Sequence, residues 1–358
     1  MLEARIGRLR EAFAGKCDAV LLTSDIARLY FSGLSTSAGR ILVTGTNAYY
    51  FADFRYYELV KKKVPHILAV SDKNELGVTL ADILELEKVK ALGFEDRRVT
   101  VAEFERMKSA YPELSFVPLG DTVERLRGVK DGGEQTAMMA AQRIADEAFV
   151  HLLPFIRPGR TELEIRDELE RLMKQYGSDG PAFPTIVLSG AKTSMPHGQP
   201  DTKKVEEGDF VLMDFGATKD HYLSDMTRTV AVGSATEEMR AVYASVLGAQ
   251  RHALENLKAG MTGAEIDALA RDRINADGYE GTFGHALGHS VGLEIHESPN
   301  FSPACKEEIP VGAVVTVEPG IYLEGKFGVR IEDIVICEDG GCNNLTASPK
   351  ELMILGKE

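Results

Sequence analysis

The sequence predicts an α/β (α+β) protein of two domains, the second internally duplicated, on three observations. Its 358 residues exceed what one hydrophobic core usually serves. Helical and strand-like patterns alternate over the first 120 or so residues. Beyond them, a helix-opening pattern and a strand pattern each recur after about one hundred residues.

The elements follow in order. Leu2, Ile6, Leu9 and Phe13 share one face with charges between them, which predicts a helix over residues 3–14 and is unlike the apolar stretch of a signal peptide. Strands are expected at 18–22 (DAVLL) and 40–51 (RILVTGTNAYYF), with a helix near 54–63. Short apolar runs at 91–94 and 114–118 alternate with polar helical segments. The first domain is therefore 1–126. Three glycines and mixed charges in LRGVKDGGE make 127–134 the expected linker, and the second domain spans 135–358, opening on a long amphipathic helix near Glu134.

PGRTELEI (158–165) is matched 101 residues later by AGMTGAEI (259–266), each with a Thr-x-x-Glu capping box. Gly177 and Gly278, also 101 apart, stand where each helix should stop. GDFVLMD (208–214) and GAVVTVE (312–318), offset by 104, each run from a glycine through an apolar strand to a carboxylate. Such a domain has pseudo-two-fold symmetry, and ligands tend to bind on its axis.

Composition narrows the function. A net charge of −14 repels phosphate backbones, and no basic stripe carries interleaved aromatics, so nucleic acid is not an expected partner. No apolar run approaches the roughly 18 residues a membrane span requires. Cys17, Cys305, Cys337 and Cys342 show neither CxxC nor metal-finger spacing, which fits reduced thiols in a cytoplasmic protein.

In DFVLMDFGATKDHYLSDMTRTVAV (209–232), two strand-like runs flank a polar turn. A turn centred on Lys219 and Asp220 sets Asp214 opposite Asp225, their Cβ atoms about 5 Å apart. In VVTVEPGIYLEGKFGVRIEDIVI (314–336), a turn centred on Gly325 sets Glu318 opposite Glu332, with Pro319 and Gly320 interrupting the first strand. A single acid on a strand is ordinarily a solvated edge residue. Four acids, paired twice in equivalent places of a duplicated domain, need more counter-charge than an arginine or two can give. Two divalent ions supply it, and an oxygen-rich site joined by an imidazole typically draws Mn²⁺, Co²⁺, Fe²⁺ or Zn²⁺.

GHALGHSVGLEIHE (284–297) offers that imidazole. His285 and His289 have the spacing of a zinc-protease helix, but Ala286 replaces the glutamate of HExxH, and Gly284, Gly288 and Gly292 favour a loop or crowded backbone. One of His285, His289 and His296 completes the carboxylate site, and spacing leaves open which. The others are close enough to move protons or orient substrate. His197 lies in a loop between two prolines, and Arg330 serves either as counter-charge or as a substrate contact.

DFGATKDHYLSDMTRT, HALGHSVGLEIHE, TVEPGIY and VRIEDI, in that order, closely resemble the metallopeptidase family of Xaa-Pro dipeptidase (prolidase), aminopeptidase P and methionine aminopeptidase, with its pita-bread fold. The resemblance implies that Asp214, Asp225, His289, Glu318 and Glu332 hold two divalent ions, Mn²⁺ foremost, then Co²⁺, with Zn²⁺ or Fe²⁺ as alternatives. It also implies that Glu318 is the general base, that His285 and His296 stabilise the tetrahedral intermediate and move protons, that His197 lies near the substrate's proline side, and that Arg330 lies near the metal centre. TSDIARLYFSGLSTSAG (23–39) and FADFRYYE (51–58) are similar to the creatinase/prolidase N-terminal domain, which favours the proline-directed branch. The implied enzyme is a homodimer that cleaves a small peptide with proline in second place. An Xaa-Pro dipeptidase is the first reading and aminopeptidase P, on longer peptides, the alternative. A metal-free binding protein of this fold is disfavoured because all five ligand positions are filled. Two features depart from the family pattern, the Asp131-Gly132-Gly133 entry to the second domain and the absence of tryptophan.

Overall fold

The computed structural model describes residues 2–71 and 78–356, and the chain divides into two compact units, Met1–Arg127 and Gly128–Glu358. The first unit is built on a six-stranded mixed sheet. Its strands lie in the order Leu68–Ser71, Ala48–Ala52, Arg40–Thr44, Ala19–Leu22, Ala91–Phe94, Ser115–Pro118. The run expected as one strand over 40–51 is a hairpin, because Gly45-Thr46-Asn47 reverses the chain and sets Val43 opposite Ala48. Ile6, Leu9 and Phe13 bury one face of the helix Leu2–Phe13, as the period of its apolar residues requires.

Residues 127–134 do not form a free linker. The helix Thr122–Gly128 occupies their start, and the helix Gly132–Leu152 begins before they end. Asp131 is the reason: its carboxylate accepts from the backbone N–H groups of Gly133 and Glu134, while Glu134 accepts from that of Asp131. The Asp-Gly-Gly entry is thus a helix N-terminus.

The second unit repeats one design twice, a long helix and a shorter one packed on a largely antiparallel sheet. The first half has the helices Gly132–Leu152 and Glu162–Gln175, and the second half Glu237–Asn256 and Gly263–Ala276. Both shorter helices open on a capping box, Thr161 with Glu164 and Thr262 with Glu265. Both end before a glycine in the left-handed region, Gly177 at φ 100° and Gly278 at φ 91°. The first half's sheet runs Ile354–Leu355, Met226–Val232, Phe210–Phe215, Ile186–Ser189. The other runs Glu297–Phe301, Gly288–Ser290, Val314–Val317, Asp333–Glu338, Gly341–Asn344. Ser189 faces Val211, and Ser290 faces Val315, so the register itself repeats at the sequence offsets. Each half has an apolar core between its helices and its sheet.

The first carboxylate hairpin departs from the expected register. Asp220 and His221 both have positive φ, 49° and 70°, and form a two-residue turn of the primed kind. The turn is centred one residue later than expected, so Asp214 faces Thr227 and Asp225 lies diagonally, still on the same face. The second hairpin has the expected register: Val317 faces Asp333 and Gly320 faces Arg330, with Glu318 and Glu332 at the break between. The shifted first register changes which residues correspond between the two halves. Glu318 corresponds to Asp214, but the counterpart of Glu332 is Thr227, and that of Asp225 is Arg330. The acids are not paired twice in equivalent places.

Candidate metal centre

Three of the four acids sit where their strands break. Asp225 directly precedes Met226–Val232, Glu318 directly follows Val314–Val317, and Glu332 directly precedes Asp333–Glu338. Freed from their own ladders, the Glu318 N–H donates to Leu287 O (2.8 Å) and the Glu332 N–H to Thr227 O (3.1 Å). The pseudo-symmetric partners meet on the axis, Thr227 Oγ1 donating to Glu332 Oε2 at 2.6 Å.

GHALGHSVGLEIHE forms a loop and the short strand Gly288–Ser290, not a helix. A Cβ on Gly288 would lie 1.9 Å from Thr316 O, and one on Gly292 2.7 Å from the Glu297 carboxylate, so crowding explains both glycines. Gly284 has open space. The close approach at Gly288 brings His289 over the acids. One ligand atom each from Asp225, His289 and Glu332 lie within 4.8 Å of one another.

The imidazole is oriented for ligation. Nδ1 of His289 lies 3.2 Å from Ser290 O, and because a carbonyl can only accept, Nδ1 carries the ring proton. Nε2 is left as a lone pair facing Asp225 Oδ2 at 3.6 Å and Glu318 Oε1 at 3.5 Å. Burial, with His296 beside it, pushes the His289 pKa down to about 4, so the ring cannot supply positive charge at neutral pH. Burial pushes Glu318 up to about 8, and burial with mutual repulsion raises Asp225 and Glu332 well above the carboxylate range. A lone pair facing carboxylates, with four acids against one guanidinium, fits a divalent cation among them.

That guanidinium is Arg330, which is buried and engaged at each of its three nitrogens. Its Nε donates to Thr227 Oγ1 (3.0 Å), one amino group to Tyr322 OH (2.9 Å) and the other to Asp214 Oδ2 (2.5 Å). Of its two expected roles, the geometry therefore supports counter-charge. His285 is engaged at both nitrogens, Nδ1 with Ala286 O (2.8 Å) and Nε2 with Tyr322 OH (2.9 Å). Its Nδ1 must donate, and burial first, then Arg330, holds its pKa down to about 4, so Nε2 accepts from the tyrosine. A continuous line runs Asp214, Arg330, Tyr322, His285. Tyr322 closes the TVEPGIY motif, and no spacing in the sequence marks it as part of the site.

Asp214, Asp225, Glu318, Glu332, His197, His285, His289, His296 and Arg330 all line one cavity of about 470 Å³. His197 and His296 are its exposed imidazoles, and the His296 ring stands edge-on to His289 at 4.4 Å. Phe183, Ile186, Pro196 and Ile295 give it an apolar wall that the sequence did not signal.

The model of metallopeptidase family M24 matches residues 136–339, and that of the creatinase/prolidase N-terminal domain matches residues 5–129. The chain belongs to metallopeptidase family M24. It is a peptidase of a class that works with divalent metal ions, and its two units have the creatinase-like and pita-bread architecture of the family. An Xaa-Pro dipeptidase of Pyrococcus furiosus is 37% identical, the match covering 94% of this chain and 95% of the relative. Among solved structures, an Xaa-Pro dipeptidase from Bacillus anthracis superposes with a TM-score of 0.95 at 40% identity, covering 99% of this chain and all of that one. An X-Pro aminopeptidase from Thermotoga maritima superposes at 0.90 with 38% identity, covering 97% and 99%.

Proposed function

We propose that this M24 peptidase is an Xaa-Pro dipeptidase with two divalent ions, Mn²⁺ foremost, held by Asp214, Asp225, His289, Glu318 and Glu332. The convergence of Asp225, His289 and Glu332 carries the reading. Ions bound there supply Lewis acidity, polarising the scissile carbonyl and acidifying water. Glu318 takes the proton of the attacking water as oxygen adds to the carbonyl carbon. The proline nitrogen, a tertiary amide with no N–H, must gain a proton as the C–N bond breaks. His296, exposed on the cavity wall, gives it. Phe183, Ile186 and Ile295 offer the prolyl ring an apolar seat. With Arg330 committed to Asp214, Thr227 and Tyr322, the exposed His197 on the cavity wall takes the substrate's terminal carboxylate.

The test compares an Xaa-Pro dipeptide with a longer Xaa-Pro peptide, using protein loaded with Mn²⁺ and, in parallel, Co²⁺, Zn²⁺ or Fe²⁺. Efficient cleavage of the dipeptide alone is expected. Comparable cleavage of the longer peptide would move the assignment to an Xaa-Pro aminopeptidase, the second reading, which likeness to the Thermotoga maritima structure supports. Cleavage of neither with two metals bound would reject proline specificity. We further expect a cytoplasmic homodimer, checked by sedimentation at twice the monomer mass. Among the described residues no helix is long and apolar enough to cross a membrane.

A further inference from the structure

His285 ends the line that runs through Tyr322 and Arg330 to Asp214, yet it sits on a loop, residues 283–287, with no ladder of its own. A loop frays unless its backbone groups are tied. One ion pair on the helix Gly263–Ala276 ties this one. Asp267 and Arg271, one turn apart, form a two-bonded pair, Nε to Oδ2 at 2.6 Å and an amino group to Oδ1 at 2.9 Å. The guanidinium also donates to Phe283 O and to His285 O, both at 2.7 Å. Asp267 Oδ1 accepts from the Leu287 N–H at 2.9 Å. The ion pair thus holds three backbone groups of a five-residue segment, centred on the histidine. Arg271 stands 4.2 Å from the centre of the Phe283 ring, and that ring meets the His285 imidazole edge-on at 4.9 Å. The side chain of Asp267 is 2% exposed and that of Arg271 23%, so water competes little for these bonds.

We infer that Asp267 and Arg271 are positioning residues for the reaction: they clamp residues 283–287 and so fix the His285 ring that orients Tyr322, Arg330 and Asp214. Arginine is required because one planar fork must serve a carboxylate and two carbonyls at once. A lysine ammonium, a point donor, can satisfy only part of that set. The inference rests on the peptidase reading for its catalytic consequence, but the clamp itself is a property of the folded chain.

The experiment uses the full chain with Arg271→Met and Arg271→Lys. Amide hydrogen exchange of the metal-free protein, read over residues 283–289, should be faster in Arg271→Met than in wild type, with segments elsewhere unchanged. In the metal-loaded enzyme, kcat on an Xaa-Pro dipeptide should fall about 10-fold while KM and bound metal per chain stay within two-fold. Arg271→Lys should lie between wild type and Met in both readouts. Unchanged exchange over 283–289 would overturn the clamp. A kcat loss that merely tracks lost metal or lost folded fraction would overturn the positioning role. If wild type itself fails to cleave the dipeptide, the Xaa-Pro reading fails instead, and the exchange comparison still decides the clamp.

Discussion

At the scale of single residues, the centre is a collection of groups held in their less comfortable protonation states. Glu318, with a pKa of about 8, keeps its proton in the folded metal-free chain at pH values where an unfolded glutamate, near about 4.3, has released it. Glu332 and Asp225 are raised in the same sense. Their contribution to stability is full below the unfolded pKa and is lost as pH rises through the folded one. His285 and His289, near 4 in the fold against about 6.5 unfolded, act oppositely: their contribution is full above about 6.5 and is lost as pH falls toward 4. The two trends offset each other between about 4.5 and 6.5, and between about 6.5 and 8 only the carboxylate trend remains. The metal-free protein should therefore lose melting temperature from pH 6.5 to 8, a loss that saturating metal should abolish, since ligation takes the ionised carboxylates. A flat profile without metal would show that these acids are ionised in the fold. Asp225→Asn should lower metal content and activity together. Removing a group that only orients a metal ligand typically costs about 10–100-fold, so losing a ligand should cost about 100-fold or more. Full activity in that variant would sink the dinuclear assignment.

At the scale of elements, the site depends on strands that stop. Glu318 and Glu332 are available because Pro319, which has no N–H, interrupts the ladder between Val317–Asp333 and Gly320–Arg330. His289 is available because the strand Gly288–Ser290 approaches Thr316 more closely than any side chain at 288 would allow. Two nearby glycines should therefore respond differently. Gly288→Ala forces strands apart and should cost about 1–3 kcal/mol in urea unfolding, with reduced metal binding. Gly284→Ala meets nothing within 4 Å and should leave both unchanged. Equal behaviour of the two variants would refute the crowding explanation. The same scale shows how far the hairpins were legible. The second turn could be centred from its Gly325, whereas in Thr-Lys-Asp-His the left-handed pair is Asp220 and His221, with no glycine to mark it. A two-residue change of register preserves the face, and so the prediction that both acids point into one site survived an error in which residues oppose each other.

At the scale of the whole molecule, duplication builds a site on the axis and divergence makes it function. Thr227 and Arg330 occupy places whose counterparts are Glu332 and Asp225. Had both halves kept carboxylates there, six acids would have faced one another and the arginine linking Asp214 to Tyr322 would be missing. Metal should hold the two halves together: an ion bound at 100 times its Kd stabilises the fold by about 2.7 kcal/mol. Chelation should accordingly lower the melting temperature and metal addition restore it. A midpoint indifferent to chelator would argue against ligands drawn from both halves.

Composition, repeat offsets and the order of motifs were enough, by the sequence alone, to set the two-domain α/β class, the duplicated second domain and nine of the residues that line the cavity. Each of these is carried by local patterns or by residue order, which the chain displays directly. The tertiary structure decided which acids oppose, which histidine presents a lone pair to them, that Arg330 is consumed by Asp214, Thr227 and Tyr322, and that Asp267 and Arg271 grip the His285 loop. Those are contacts between segments far apart in the chain, fixed by packing and by which backbone groups the broken strands leave to be satisfied, and no local pattern encodes them.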